Sequence, residues 1–494
     1  MDKAMGTLRD KAMGILGPDF VNTILHLNDP DAMQKLRIKY KERLTELYVR
    51  EERIRPEICI YRVPEKLRKL KEDAYNPRAV SIGPFHRGKS SLAPMEHHKL
   101  LYTASFLGSF IASSEATEKY MDSYMEHPIA PIHVDWPVNK CYNEEIKCEE
   151  GRDKLTELLQ DGCFILQLFL SFAQLIKDSS DEYESDPLIN NAWMIRDLWH
   201  DLALLENQIP FFVLEILYDI VKPCVMKMNN GKAPESVSSL ALNFFKPMLS
   251  QNSNIVEHSY PDCKHLLDLL HKSSLLAVSG DTAFTVYDVR DRRSTMALNH
   301  AAAANLSPGN QYWGLKYCAE ELVQSGIELR KESGDSLVNI TTTSDRQLII
   351  NIPPLFIDEV RDSLFRNLIA YEQSSIKISH HVTSYVILMK SLVRSPRDVK
   401  LLRKKGIISQ YWIEDQEYLS CFVSFLDEVF PRDFYFSSLC GQVDAYANKF
   451  WFRRKMSALY RTYFSTAWSM TSFIAAICLF ILTVLQTYFT INPR

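Results

Sequence analysis

AVSIGPFHRGKSS, residues 79–91, spells the nucleotide-binding pattern G-x-x-x-x-G-K-[ST] through Gly83, Gly88, Lys89 and Ser90. A working loop of this kind joins a buried β-strand to a helix that starts at its Lys-Ser. Backbone N–H groups and the helix N-terminus then converge on phosphate. Accepting the pattern makes the chain an α/β nucleotide-dependent enzyme; setting it aside leaves a different fold class.

Three features conflict with a phosphate cradle. Pro94 lies five residues beyond Lys89 and would fall inside the required helix, at a cost of about 3 kcal/mol or more. It reads better as the first residue of a new helix, PMEHHKLLYTASFL, which begins too late. The only upstream strand is AVSI, with no β-α-β alternation around it. His86 and Arg87 place bulky side chains inside the loop. The nearest candidate for a metal-binding acidic strand end, PLFID ending at Asp358, sits beside a hairpin rather than in a parallel sheet. The expectation is a coincidental match, with no bound cofactor.

The surroundings read as helices. DPDAMQKLRIKYKERLTELYVREER (29–53) spaces Met33, Leu36, Tyr40, Leu44 and Leu47 by threes and fours, behind Asp29 and Asp31. KLLYTASFLGSFI (99–111), KLTELLQDGCFILQLFLSFAQLI (154–176), AWMIRDLWHDLALLENQ (192–208) and PFFVLEILYDIV (210–221) are strongly apolar helices. Helices resume from Leu355. The β signal is confined to TAFTVYDV (282–289) and SLVNITTTSDRQLIINI (336–352); the second alternates around a turn at Ser344-Asp345 and predicts a hairpin. The predicted fold is mainly α, a large multi-helix domain with a small β hairpin element. Its parts are an N-terminal amphipathic helical segment (1–57), a helical domain (58–460) with its β element near 280–352, and a C-terminal transmembrane helix (467–489).

The 57 basic and 61 acidic residues give a net charge of −4, which offers no basic footprint for nucleic acid. The ten cysteines have neither C-x-x-C nor zinc-finger spacing, so reduced, buried thiols are expected. The first residues, MDKAMGTLRDKAMGILG, mix charges with short apolar runs, unlike a secretory signal.

From Thr462 to Pro493 no side chain is charged. MTSFIAAICLFILTVLQTYF (470–489) is long enough, at about 1.5 Å per residue, to cross a hydrocarbon core of about 30 Å. Trp468 and Tyr488 flank it as interfacial aromatics. Lys449, Arg453, Arg454, Lys455 and Arg461 precede the span and only Arg494 follows it, so the basic side is expected in the cytoplasm. This predicts a single-pass tail anchor, in the plasma membrane or endoplasmic reticulum, contacting lipid through residues 467–489.

IYRVPEKLRKLKEDAYNPRAVSIGPFHRGKSSLAPMEHHK (60–99) resembles the opening signature of a plant family known as domain of unknown function 247, also uncharacterised protein family 0481. The match runs through Arg62-Val63-Pro64, Ala74-Tyr75-x-Pro77, Val80-Ser81-Ile82-Gly83-Pro84-Phe85-His86-x-Gly88, Met95-Glu96 and Lys99. LTELLQDGCFILQLF (155–169), LALLENQIPFFVLEILY (202–218), CKHLLDLLH (263–271), ELVQSGIEL (321–329), FRNLIAYEQ (365–373) and VTSYVILMKSLVRSPRDVKLL (382–402) continue the likeness in order, over about residues 58–490. The resemblance implies a plant protein, mostly helical, with one membrane anchor and no established enzymatic activity. Some grass members are linked to pollen self-incompatibility.

Few residues carry chemistry. Glu206-Asn207-Gln208 interrupts an apolar run before Pro210; it could line a ligand pocket, but capping of a helix that must stop near Ile209 is favoured. Cys163 is flanked by Phe164, Ile165 and Leu166 and reads as an inert core thiol. His86, His97 and His98 lack metal-site spacing. Neither a catalytic set nor a metal site emerges. Asn305 and Asn339 match the glycosylation pattern but should stay unmodified in the cytoplasm. The leading expectation is a non-enzymatic, membrane-tethered interaction or signalling scaffold with unknown protein partners. The alternatives are a cell-recognition determinant of the self-incompatibility type and a nucleotide-dependent enzyme using the 83–90 loop.

Overall fold

The structure is a computed structural model. It describes residues 30–49, 57–114, 140–144, 154–177, 186–228, 236–249, 260, 262–275, 313–332, 339–344, 347–408, 414–449 and 467–491. The expected strand at 282–289, the turn residue Asp345 and the basic residues 453–461 lie outside them, as do Asn305 and Asp29.

Helix α1 (Pro30–Val49) turns Leu36 and Tyr40, four apart, into the core, where both are fully buried. After the short α2 (Glu65–Leu70) come α3 (Ala93–Ser114) and α4 (Lys154–Lys177). These two make the most extensive pairing among the described helices. Gly162 on α4 instead faces α6 (Phe211–Met228): an added Cβ there would lie 2.5 Å from Leu217. Helix α5 (Ala192–Leu202) starts at Asn191, whose side chain accepts from the Trp193 and Met194 N–H groups. Helices α7 (Val237–Leu249) and α8 (Leu266–Leu275) close this part, with Phe169 of α4 stacked near Phe244 of α7 at 5.0 Å.

Helix α4 is apolar on almost every side, and 56% of its Leu155–Ile176 stretch is buried. Length and composition would let it cross a membrane, but its partners are α3, α6 and α7. It is the core helix of the body.

The second half holds α9 (Ala319–Gln324), a small sheet, α10 (Glu359–Ser374), α11 (His381–Leu392), α12 (Pro396–Lys404), α13 (Asp415–Phe425) and α14 (Ser437–Lys449). The expected hairpin forms: β2 (Thr341–Ser344) pairs antiparallel with β3 (Leu348–Ile352), in the register Ser344 to Leu348. A strand absent from the sequence reading, β1 (Glu328–Lys331), adds parallel to the other edge of β3, giving the order β1-β3-β2. It was missed because ELRK does not alternate, and Leu329 alone is buried. Helix α12 shows its local code in full: Ser395 and Asp398 form a reciprocal capping box, Pro396 opens the first turn, and Gly406 at φ +72° follows the last.

One continuous apolar cluster joins the halves, from Leu36 on α1 to Ala447 on α14. The helix of the 1–57 segment therefore shares the core of the 58–460 region. Asp358, considered as a metal-binding strand end, caps α10 by accepting from the Arg361 N–H at 2.8 Å. The last helix, α15 (Ala467–Ile491), differs in kind: none of its Thr471–Tyr488 stretch is buried.

Candidate functional site

The loop at 79–91 is clamped by carboxylates of its own chain. Asp201, near the end of α5, accepts from the N–H groups of Arg78 (2.8 Å), Ala79 (2.7 Å) and Val80 (2.8 Å). Asn207 Oδ1 accepts from Ile82 N–H at 2.7 Å, and Asp161 Oδ2 on α4 accepts from Gly83 N–H at 2.8 Å. Carboxylate and carboxamide oxygens inside the protein thus hold the backbone that leads into the pattern, up to and including Gly83. AVSI forms no strand, and Lys89 leads into a single turn, Ser90–Leu92, before α3 starts at Ala93. Gly83 is held at φ +71° with Gln208 O where its Cβ would be, 2.4 Å away, so glycine here serves a close chain approach.

The Glu206-Asn207-Gln208 segment corrects one expectation. Helix α5 ends at Leu202, not near Ile209. Asn207 and Gln208 nevertheless cap it from the following loop: Asn207 Nδ2 donates to Asp201 O (2.9 Å) and Gln208 Nε2 donates to Leu202 O (2.9 Å). Capping by folding back relieves the helix of reaching Pro210. Gln208 Oε1 also accepts from Leu267 N–H at 3.2 Å, which ties the loop to α8.

Glu206 is different. Its Oε1 accepts from Val63 N–H and Arg68 Nη2, both at 2.6 Å, while the buried Oε2 makes no hydrogen bond. Oε2 lies 3.5 Å from His86 Nε2 and 3.7 Å from Arg62 Nη1, too far for a well-formed bond. His86 is 2% exposed and neither ring nitrogen has a partner. His86 and Glu206 line a cavity of about 280 Å³ together with Arg62, Arg68, Asn76 and Lys89. Burial, reinforced by the charges of Lys89, Arg68 and Arg62, pushes the His86 imidazole down to about 3, so it is neutral. Burial, with Arg68 next in weight, also lowers the Lys89 ammonium. Arg62 stacks its guanidinium over the Phe85 ring at 4.3 Å.

The remaining residues singled out from sequence scatter. Gly88 and Ser90 are exposed beside Lys89, with Gly88 at φ +79°. Cys163 is fully buried, and burial pushes its thiol up, away from reactivity. His97 and His98 sit on α3 with ring centroids 6.1 Å apart. Among the described residues no three His, Cys, Asp or Glu side chains converge to hold a metal ion. Asn339 lies two residues before β2. Arg62 and Arg68 were not recognised as site residues; their signal was their place in the RVPEKLRKL stretch, which composition alone does not single out.

The architecture defines a helical body with a carboxylate-clamped loop and a small cationic cavity. Residues 60–482 match the profile of the family described as plant protein of unknown function, domain of unknown function 247, and the chain belongs to that family. It is 30% identical over 436 residues to the UPF0481 protein At3g47200 of Arabidopsis thaliana, covering 87% of this chain and 85% of that protein. It is 20% identical over 507 residues to the putative UPF0481 protein At3g02645 of the same plant, covering 87% and 90%. No solved structure matches.

Proposed function

We propose that this protein is a non-enzymatic interaction or scaffold protein held to a membrane by α15. The observation that carries the reading is the contrast between its two long apolar helices. Of the Leu155–Ile176 stretch 56% is buried among other helices, while none of Thr471–Tyr488 is buried. Eighteen exposed residues including Phe473, Ile477, Phe480, Leu482 and Leu485 carry an apolar load that water does not tolerate and lipid does. Thr483 and Thr487 return their hydroxyls to Leu479 O and Thr483 O at 2.8 Å, which keeps these two donors from facing lipid unpaired.

The positive-inside rule, applied to Lys449, Arg453, Arg454, Lys455 and Arg461, orients the body toward the cytoplasm. Exposed Ile376 (81%), Phe430 (70%) and Tyr435 (53%) give that body apolar contact points for a partner. The test expresses the tagged full chain in plant cells and extracts membranes with alkaline carbonate. Retention is expected, with release when Phe480→Lys and Leu482→Lys are combined. Parent protein found in the carbonate supernatant, or sugar on Asn339, would overturn anchoring or orientation respectively. Hydrolysis of ATP or GTP by the purified chain, abolished by Lys89→Ala, would instead support the nucleotide-dependent enzyme.

A further inference from the structure

The cavity between α2 and the 85–89 turn combines features that the fold does not need for itself. Arg62, Arg68 and Lys89 contribute three cations. Glu206, within the cavity, and the exposed Glu65 contribute two carboxylates. Arg62 Nε is engaged by Glu144 at 3.0 Å; Arg68 Nη1 and Lys89 Nζ share Asn76 Oδ1 at 3.2 and 3.3 Å. Each guanidinium has five N–H groups and the ammonium three, so donors remain for a guest. His86, 98% shielded from solvent, adds two unpartnered ring nitrogens, and Glu206 Oε2 adds an unpartnered acceptor. Unpaired buried polar atoms are costly, and three of them on two residues that line one small space argue for a ligand that satisfies them together.

The required ligand must accept hydrogen bonds from the cations and donate one to Glu206. A fully ionised oxyanion such as sulfate satisfies the first demand and repels the second. A neutral sugar satisfies the second and leaves the charges uncompensated. A phosphate that still carries a proton does both: inorganic phosphate keeps a P–OH donor at neutral pH, and a monoester keeps one when bound as its monoanion, the form that dominates below its second pKa of about 6.

We propose that this cavity binds a phosphate, inorganic or a small monoester, with Lys89, Arg62 and Arg68 donating to its oxygens and Glu206 Oε2 accepting from its P–OH. The neutral His86 ring supplies a further N–H within the same cavity. The cavity volume, about 280 Å³, suits a phosphate with a compact substituent. The site is separate from the clamped amides of residues 78–83, so it does not restore the nucleotide loop. It also stands independently of the membrane anchor.

The experiment uses the full chain in lipid discs and measures ligand-induced shifts in thermal unfolding, with sodium phosphate, glycerol 3-phosphate and sodium sulfate at matched ionic strength. Saturable stabilisation by phosphate, at least about tenfold stronger than by sulfate, is expected. Lys89→Gln, at an exposed side chain, should weaken phosphate by about tenfold. Glu206→Gln can still accept from Val63 and turns its other atom into a donor, so it should abolish the preference over sulfate. A parallel arm places phosphatidate in the discs: a response to it without a response to glycerol 3-phosphate assigns the phosphate to a lipid headgroup, and the reverse assigns it to a soluble ester. Phosphate acting no better than sulfate, or binding unchanged by both substitutions, overturns the proposal.

Discussion

The ammonium of Lys99 lies 2.6 Å from Asp161 Oδ1, and neither side chain is exposed. The contact is an ion pair without hydrogen-bond alignment; Lys99 Nζ donates to Ser81 O, 2.9 Å away, and to Glu96 Oε1, 3.2 Å away. One lysine on α3 thereby links α4 to the loop, while the other oxygen of Asp161 holds Gly83 N–H and Arg87. Burying both charges is expensive, and the arrangement persists because each is surrounded by partners.

Removing one member leaves the other charge buried with fewer partners. Lys99→Met should lower stability by about 3–5 kcal/mol, read as a shift in the urea midpoint of the full chain. An unchanged midpoint would show that the pair does not hold the loop.

Gly83→Ala combines two penalties. The φ of +71° disfavours a side chain by about 1–2 kcal/mol, and the Cβ meets the Gln208 carbonyl at 2.4 Å, a backbone atom that cannot swing aside. The variant is expected to unfold well below the parent, whereas Gly441→Ala, with open space around its Cβ, should be neutral or slightly stabilising. Equal midpoints for the two would contradict the close approach.

Asp201 serves three consecutive amides, with His200 Nδ1 also 2.9 Å from Oδ1. Asp201→Ala should cost about 3 kcal/mol or more, since bonds to a charged acceptor contribute about 1.5–3 kcal/mol each. Amide exchange should accelerate first at residues 78–80. Exchange there at the parental rate would assign the loop's order to another cause.

Acid should weaken the fold from two directions. Burial pushes His86 down to about 3 and His265 to about 4, against 6.5 in an unfolded chain. Between those values the unfolded chain holds more protons, so stability rises with pH and is lost as pH falls from 6.5 toward 4. The slope is up to about 1.4 kcal/mol per pH unit for each histidine. Burial opposes ionisation of Glu372, but the His271 and Thr383 bonds outweigh it and hold its carboxyl below the usual range. Its contribution is present above 4.5 and is lost as pH falls through the lowered value. Unfolding midpoints at pH 7 and pH 5 test this: stability should drop, and His86→Gln should flatten the slope. A higher midpoint at pH 5 would contradict the sign.

Much of the architecture was legible locally. Leu36 and Tyr40, two of the residues that the three-and-four spacing marked in α1, are buried, and the alternation at 336–352 became β2 and β3. The parallel partner β1 was not, because pairing across a sheet leaves no trace in four residues. The end of α5 was misplaced by following Pro210 as the stop, when the helix was capped earlier by side chains returning from the loop.

The amino-acid sequence by itself determined the helical class, the hairpin, the family likeness and the apolar terminal segment, because periodicity and composition act between near neighbours. The tertiary structure decided what holds the start of the 79–91 loop: the amides of Gly83 and Val80 meet Asp161 and Asp201, 78 and 121 residues away. It also brought Arg62 and Arg68 against Glu206, 138 residues beyond Arg68. A buried polar group takes whichever partner the packed chain delivers, and only the packed chain shows which one that is.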